Sequence, residues 1–404
     1  MIDTRPAKTI FIPKGFSFSS GCAGIKPSGR PDIALIACEP QASAAAAFTE
    51  NQVVAAPITV GRGFLRASRG KVRAVIVNSG NANCATGAHG LNGCKEVCTQ
   101  SARLLGVPPR EIFPSSTGII GVTFPAEQIV AALPQLISQC EMSEAAARRF
   151  ADAILTTDTR PKIASSAFQI AGEEVRLLGV AKGSGMIHPR LATMLVYILT
   201  DMAATPAELR GLLLDACADT FNCISVDGDT STNDTVLLLA SGRSGVTLTN
   251  RAARKNFQTE LKNLCRSLAE QIVSDGEGVR HVIRLSVEKA KSRVEAMQVA
   301  RAICHSPLVK TAWAGADPNW GRILAAVGNS GVRVDPRRIN IFIGQQKVCE
   351  RGQFCEFDRV RAHQDLSGRV CLVRVELGRG SQCVTFYGTD LTDDYVHINA
   401  EYST

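Results

Sequence analysis

Aromatic residues are scarce in this chain of 404 residues. Long apolar runs and the pattern of a signal peptide are missing from it. No apolar run approaches the roughly 18 residues that a membrane-spanning helix needs, and residues 1–14 lack the apolar core of a signal peptide. Aromatic residues make up 5% of the chain, and the net charge of +8 is spread out without aromatic interleaving, so no nucleic-acid partner is predicted. These absences indicate a cytoplasmic protein with neither a membrane nor a nucleic acid as partner.

Paired metal ligands and cofactor motifs are also missing. The chain has 14 cysteines but no C-x-x-C pair; Cys94 and Cys98, four positions apart, are among the closest. Zinc sites normally use short fixed spacings, so we expect reduced, mostly buried cysteines and no metal. The chain also lacks a P-loop, a dinucleotide-binding glycine motif after a strand, and a G-x-S-x-G elbow. No cofactor is therefore predicted.

Short apolar runs that alternate with helical patterns fill the chain, which is typical of an α/β protein with stacked sheets flanked by helices. Strands are predicted at residues 33–38, 73–77, 194–199 and 236–240, with a loop at 78–83 after the second of them and a hairpin formed by 164–170 and 174–180. Helices are predicted at residues 90–105, 125–139, 143–155, 251–275 and 293–304, with Ser143 and Thr205 as N-caps. The pattern restarts at about residue 282, which predicts a domain boundary there.

Residues 182–195 have the composition of a self-cleavage site. A glycine-containing loop that begins at Lys182 leads to Ala192 and Thr193, and an apolar run follows. Cleavage before Thr193 would give this residue a free α-amine, one of the few groups that can activate a Thr hydroxyl as a nucleophile. The segment alone also fits an ordinary β-branched residue entering a buried strand.

Four further polar segments could surround such a nucleophile. Residues 114–121, with Thr117 and Gly118, contain the hydroxyl and backbone N–H donors that an oxyanion hole needs. Taken alone, they also fit a plain turn. Residues 156–159 offer hydroxyls for a ligand or for a local cap. Residues 225–234 lack the fixed Gly and terminal Glu of a calcium-binding loop, which favours a structured turn beside an active site. Residues 395–404 alternate apolar and polar side chains, which predicts a tail held in a sheet.

Taken together, these segments resemble the ornithine acetyltransferase family, the bifunctional glutamate N-acetyltransferases of arginine biosynthesis. The resemblance covers nearly the whole chain, and each motif is weak alone but specific in register with the others. The motifs are residues 78–83, Ser116-Thr117-Gly118, Thr156-Thr157-Asp158, residues 182–187, Ala192-Thr193-Met194-Leu195, Asp227-Gly228-Asp229-Thr230, Asp275-Gly276-Glu277-Gly278 and residues 317–322. Two segments depart from the usual family pattern, Arg190-Leu191 and Val279-Arg280-His281.

The resemblance implies a fold and a maturation step. The expected fold is the αββα sandwich shared with DmpA-like aminopeptidases, over residues 1–281, with a smaller C-terminal α/β domain over residues 282–404. Cleavage between Ala192 and Thr193 would give an α chain of residues 1–192 and a β chain of residues 193–404. The two chains are expected to stay together, as an α2β2 heterotetramer.

The resemblance also implies a ping-pong reaction. The Thr193 hydroxyl would take the acetyl group from N-acetylornithine with its own α-amine as base, and glutamate would then accept that group. Thr117 and Gly118 match the oxyanion-hole positions of the family. The positions that match substrate-binding residues are Thr156, Lys182, Thr193, Glu277, Asn399 and Thr404. We expect a cation such as Lys182 and an anion such as Glu277 to clamp opposite ends of the substrate.

Three questions stay open on the sequence. Acetyl-CoA is a candidate second acetyl donor, and no residue decides whether it is used. An N-terminal-nucleophile aminopeptidase or amidase of the same fold, with water as the acceptor, makes the same cleavage prediction. A non-catalytic binding protein predicts one intact chain, with Thr193 as a core residue.

Overall fold

The computed structural model describes residue 7 and residues 9–188, 194–248 and 250–401. In these ranges the N-terminal part of the chain forms one sheet and its flanking helices. The strands are β1 (Phe16–Gly21), β2 (Ile33–Phe48), β3 (Lys71–Asn81), β4 (Ile112–Ile119), β5 (Lys162–Ile170), β6 (Glu173–Lys182), β7 (Leu195–Thr200) and β8 (Thr235–Ala240). The helices are α1 (Ala56–Ala67), α2 (Gly87–Leu105), α3 (Ala126–Ser138), α4 (Glu144–Ala153), α5 (Pro206–Ala218) and α6 (Arg251–Ser274).

The C-terminal part forms a second, smaller sheet with its own helices. Its strands are β9 (Val282–Ala290), β10 (Asn340–Ile343), β11 (Gln346–Glu350), β12 (Gln353–Phe354), β13 (Val370–Glu376) and β14 (Gln382–Thr389). Its helices are α7 (Arg293–Cys304), α8 (Pro307–Ala314), α9 (Trp320–Gly328), α10 (Arg359–Leu366) and α11 (Asp393–Glu401). The order across this sheet is β12-β11-β10-β13-β9-β14.

The long strand β2 divides the first sheet into two leaves. Its first half pairs with β1 and β3, and β3 pairs in parallel with β4; these strands form the first leaf. Its second half pairs with β8, which continues through β7 and β6 to β5; these strands form the second leaf. One continuous hydrogen-bonded sheet therefore supplies both inner layers of the fold.

Side-chain alternation shows that the two leaves stack. On β7, Leu195, Tyr197 and Leu199 belong to a core shared with β1, β2 and β3 of the first leaf, whereas Val196 and Ile198 belong to a core with α5 and α6. Successive residues of a strand point to opposite faces, so β7 is buried on both sides. The outer face of the first leaf packs on α2 and α3. The four layers are helix, sheet, sheet and helix, so the predicted αββα fold is confirmed.

Most local predictions are confirmed. The Ser143 hydroxyl caps α4 by accepting from the backbone N–H of Ala146 at 3.1 Å. The Thr205 hydroxyl caps α5 in a capping box with Glu208. The predicted hairpin is formed by β5 and β6. All 14 cysteines lie in described residues and are free, and ten of them are buried, as expected from their spacing.

Two predictions are wrong. Residues 395–401 do not join a sheet but lie in α11, because Asp393 and Asp394 stabilise its first turn and the Thr392 hydroxyl accepts from the backbone N–H of Tyr395. Residues 78–81 and 114–119 are not loops but the ends of β3 and β4. Their polar side chains are tolerated in the buried sheet because they bond to each other; the Ser116 hydroxyl, for example, donates to Asn78 Oδ1 at 2.6 Å.

The second sheet begins with β9 at Val282, which is where the sequence predicts the second domain to begin. Contacts also join the two parts, since Tyr387 on β14 packs in the core of α5 and α6 and donates to Glu270 on α6 at 2.9 Å. The division into domains stays a prediction.

Candidate active site

A cavity of about 220 Å³ opens where β4 and β6 reach their carboxyl ends. Seven separate segments of the chain line it. They are Ala82 after β3, Thr117, Gly118 and Ile120 at the end of β4, Thr156 and Thr157 after α4, Lys182 to Met186 at the end of β6, Asp227 to Asn233 before β8, Glu277 after α6, and Tyr395 and Asn399 on α11. Because these segments are distant in sequence, the fold alone brings their polar groups together.

The Thr117-Gly118 pair lies against the backbone of β3. Gly118 has a φ of +132°, and a Cβ there would lie 2.3 Å from the carbonyl carbon of Gly80. Only glycine allows this close approach, which leaves the backbone beside Thr117 facing the cavity. Thr117 is 9% exposed, and its hydroxyl oxygen accepts from Lys182 Nζ at 3.2 Å. In this contact the hydroxyl acts only as an acceptor, so its own proton can still be donated to a ligand.

Lys182 provides the cation of the site. Its Nζ donates to Thr156 Oγ1 at 2.8 Å and lies 3.6 Å from Asp158 Oδ2. Asp158 also accepts from the backbone N–H of Gly183 at 2.6 Å, so it fixes the ammonium and the loop that follows.

Behind Lys182 lies a buried ion cluster. Lys162 is fully buried and donates to Asp158 Oδ1 and to Asp275 Oδ2, both at 2.5 Å. Burial alone would raise the pKa of Asp158, but the ammonium groups of Lys162 and Lys182 outweigh it and hold that pKa well below its usual range. The Ser184 hydroxyl donates to the Asp275 carbonyl at 2.6 Å. The cluster therefore ties three of the cavity-lining segments together.

Carboxylates form a second polar group in the cavity lining. Glu277 accepts from Asn399 Nδ2 at 2.9 Å, which joins α11 to the site. A Cβ on Gly185 would lie 2.4 Å from the Glu277 carboxylate, so this contact requires glycine. Arg280, at one of the departures from the family pattern, pairs with Asp393 and Asp394 at 2.7 and 2.8 Å and holds the start of α11.

Asp227 is a cavity residue that the sequence places in a motif but to which it assigns no role of its own. Its carboxylate accepts from the backbone N–H of Met186 at 2.6 Å and from that of Asp229 at 3.2 Å. Burial and the nearby carboxylates of Asp229 and Glu277 outweigh these two hydrogen bonds and raise the pKa of Asp227 to about 6. The signal that could have identified it is the acid-rich segment 225–234, which the sequence predicts to be a turn beside an active site.

The structure brings six of the predicted site residues to this one cavity; they are Thr117, Gly118, Thr156, Lys182, Glu277 and Asn399. Ala192, Thr193 and Thr404 lie outside the described residues. The described chain resumes at Met194, and Leu195 pairs with Lys182 across β6 and β7. The catalytic and binding roles of all these residues stay predictions.

A profile of the ArgJ family matches residues 17–404. The chain belongs to the ArgJ family. The predicted family is thus confirmed, and with it the prediction of an acetyl-transferring enzyme of arginine biosynthesis.

Individual relatives agree over nearly the full length. The chain is 45% identical to the arginine biosynthesis bifunctional protein ArgJ of Thermus thermophilus over 97% of this chain and 99% of that protein. It is 43% identical to the protein of the same name from Nitratidesulfovibrio vulgaris, over 96% and 98% of the two chains.

Solved structures of ArgJ relatives are also similar in sequence. The ArgJ crystal structure from Bacillus halodurans is 40% identical and covers 51% of this chain and 98% of its own, with a TM-score of 0.49. Ornithine acetyltransferase from Mycobacterium tuberculosis, solved with ornithine, is 33% identical and covers 44% and 92%, with a TM-score of 0.38.

The described residues contain neither a candidate metal centre nor a helix that could span a membrane. No group of three or more His, Cys, Asp or Glu side chains is arranged there to hold a metal ion. None of the helices in these ranges is long and apolar enough to cross a bilayer.

Proposed function

We propose that this ArgJ-family chain moves the acetyl group of N-acetylornithine to glutamate through an acetyl-enzyme on Thr193. The observation that carries the proposal is a cavity lined by two groups of opposite charge, with Lys182 beside Thr117 in one group and Glu277 near Asp227 in the other. An amino-acid substrate carries a carboxylate and an amine-derived group, which two such groups would hold in one orientation. The relative from Mycobacterium tuberculosis was solved with ornithine.

The first half-reaction forms the acetyl-enzyme. The Thr193 hydroxyl attacks the acetyl carbonyl while the Thr193 α-amine takes the hydroxyl proton. The oxyanion that forms accepts from the Thr117 hydroxyl and from the backbone N–H at Gly118. Lys182 orients the Thr117 hydroxyl because its Nζ donates to Thr117 Oγ1 at 3.2 Å. The C–N bond then breaks, the leaving nitrogen receives the proton, and ornithine departs. In the second half-reaction the glutamate α-amine repeats these steps in reverse order.

The α-amine exists only after cleavage between Ala192 and Thr193. We therefore propose that the chain cleaves itself there, that the products 1–192 and 193–404 remain associated as α2β2, and that the mature enzyme is cytoplasmic and needs no cofactor. Thr156, Asn399 and Thr404 are assigned to substrate binding together with Lys182 and Glu277. Because the relatives are named bifunctional, acetyl-CoA is proposed as a second acetyl donor to glutamate.

Mass spectrometry and an acetyl-transfer assay test the proposal together. Purified protein should consist of two chains divided before Thr193, and the Thr193→Ala variant should be intact and inactive. N-acetylornithine should be consumed with glutamate and yield N-acetylglutamate. Acetate released at the same rate without glutamate would instead indicate a hydrolase, and cleavage that persists in Thr193→Ala would refute the nucleophile.

A further inference from the structure

The part of the cavity that binds the substrate side chain has to receive two opposite charges if the proposed function holds, and this inference rests on that function. N-acetylornithine and glutamate share an α-carboxylate and an α-nitrogen, but one side chain ends in an ammonium and the other in a carboxylate. A permanent anion would repel glutamate, and a permanent cation would repel ornithine. A group that changes its charge with the substrate would serve both.

Asp227 is placed to be that group. It lines the same cavity as Lys182 and Thr117, and it belongs to the group of carboxylates that also contains Glu277. The backbone N–H groups of Met186 and Asp229 hold its two oxygens in place, at 2.6 and 3.2 Å. Each carboxylate oxygen has a second lone pair, so these contacts leave capacity for a substrate ammonium.

We infer that Asp227 determines specificity for the substrate side chain, ionised when it binds the ornithine ammonium and protonated when it donates to the glutamate carboxylate. One proton is taken from water when glutamate replaces ornithine, and it returns to water in the opposite direction. In the ornithine complex Asp227 thus pairs opposite charges, and in the glutamate complex its protonation replaces a repulsion between two carboxylates with a hydrogen bond.

The surroundings of Asp227 support a change of protonation at neutral pH. Burial disfavours the ionised form most, and carboxylates that face Asp227 from its own turn and from the turn after α6 add to this effect; together they raise the pKa of Asp227 to about 6. The Lys310 ammonium is also close enough to interact with the Asp227 carboxylate. The facing groups are Asp229 on its own turn, Glu277 after α6, Tyr395 on α11, Lys310 on α8, Lys182 across the cavity, and His305 beside Gly228.

The test uses the two N-acetylated donors, because their own charges are constant between about pH 5.5 and 9. The full-length, processed enzyme is assayed for kcat/KM with N-acetylornithine and, in the reverse direction, with N-acetylglutamate. The ratio of the two constants cancels the titration of the shared nucleophile. We expect this ratio to rise with pH by about tenfold per unit, the slope for one titrating group.

Asp227→Asn is permanently neutral, and its single amide oxygen can keep one of the two backbone hydrogen bonds. For this variant the ratio of the two kcat/KM values should be independent of pH. At pH 8 it should be at least tenfold lower than in the wild type, because the enzyme lacks the anion that binds the ornithine ammonium. Asp229→Asn is the matched control on the same turn and should keep the slope.

Each possible result either supports or overturns the role assigned to Asp227. A wild-type ratio that does not change with pH overturns the assignment whether or not the variants fold, as does a slope that persists in Asp227→Asn. A slope lost in Asp229→Asn but kept in Asp227→Asn assigns the role to Asp229 and also overturns it. Wild-type enzyme that uses neither donor overturns the proposed function itself, a result that differs from all the others.

Discussion

Removing the buried ammonium of Lys162 should destabilise the protein far more than removing a similar ammonium at the surface. The side chains of Lys162 and Asp158 are fully buried, and that of Asp275 is 4% exposed. Lys162→Met would leave two buried carboxylates without their shared partner. Breaking a buried pair from one side typically costs about 3–5 kcal/mol, and we expect a loss of this size in the free energy of unfolding.

Lys262 offers a matched control. It also bridges two aspartates, Asp215 at 3.2 Å and Asp219 at 3.0 Å, but its side chain is 25% exposed and theirs are 45% and 37% exposed. Water screens these charges, so Lys262→Met should cost no more than about 1 kcal/mol. The measurement is urea unfolding of both variants and wild type, followed by circular dichroism.

The effect should depend on pH. The pKa of Asp158 is lowered in the folded protein, so its ionised form contributes stability that is present above the unfolded pKa of about 3.9 and is lost as pH falls through the folded pKa. Without Lys162 this contribution decreases, so the loss should be largest at pH 7 and should become smaller only as pH falls below about 4 towards the lowered folded pKa. A loss at pH 7 equal to that of Lys262→Met, or one that grows as pH falls, would refute the account of the cluster.

Three further predictions concern the cavity. Thr117→Val should lower kcat by about 10²–10³-fold with little change in KM, because it removes one oxyanion donor; a change confined to KM would contradict that role. Gly185→Ala should raise KM strongly because its Cβ would lie 2.4 Å from the Glu277 carboxylate, whereas Gly63→Ala, with nothing within 4 Å, should leave steady-state kinetics unchanged. Arg280→Ala should raise KM several-fold but change the free energy of unfolding little, because its ion pairs are exposed to water, measured by kinetics and urea unfolding; unchanged kinetics would show that α11 is held by other contacts.

Local signals were reliable wherever one segment determines its own structure. Ser143 and Thr205 were predictable as N-caps because a side-chain oxygen needs only the N–H three residues ahead. The β5–β6 hairpin was predictable because its two strands are adjacent in sequence. The C-terminal helix was not, since a few alternating residues fit a strand until the capping contact of Thr392 and the pairing of Arg280 with Asp393 are known.

The site shows the same limit. Its resemblance motifs pointed to Thr117, Lys182 and Glu277, but no motif could show that they share a cavity, because these residues lie on β4, on β6 and after α6. Asp227 was missed as an individual residue because a carboxylate in a turn is ordinary until burial and distant charges alter its pKa.

The sequence by itself determined the alternation of strands and helices, the family, and the bond at which cleavage is predicted. Each of these follows from patterns and motifs along the chain and requires no knowledge of contacts through space. The tertiary structure decided which polar side chains meet, how β2 divides one sheet into two leaves, and which charges are buried. The physical reason is that burial and Coulomb interaction depend on distances through space, and residues such as Lys162 and Asp275, 113 positions apart, approach to 2.5 Å only in the folded chain.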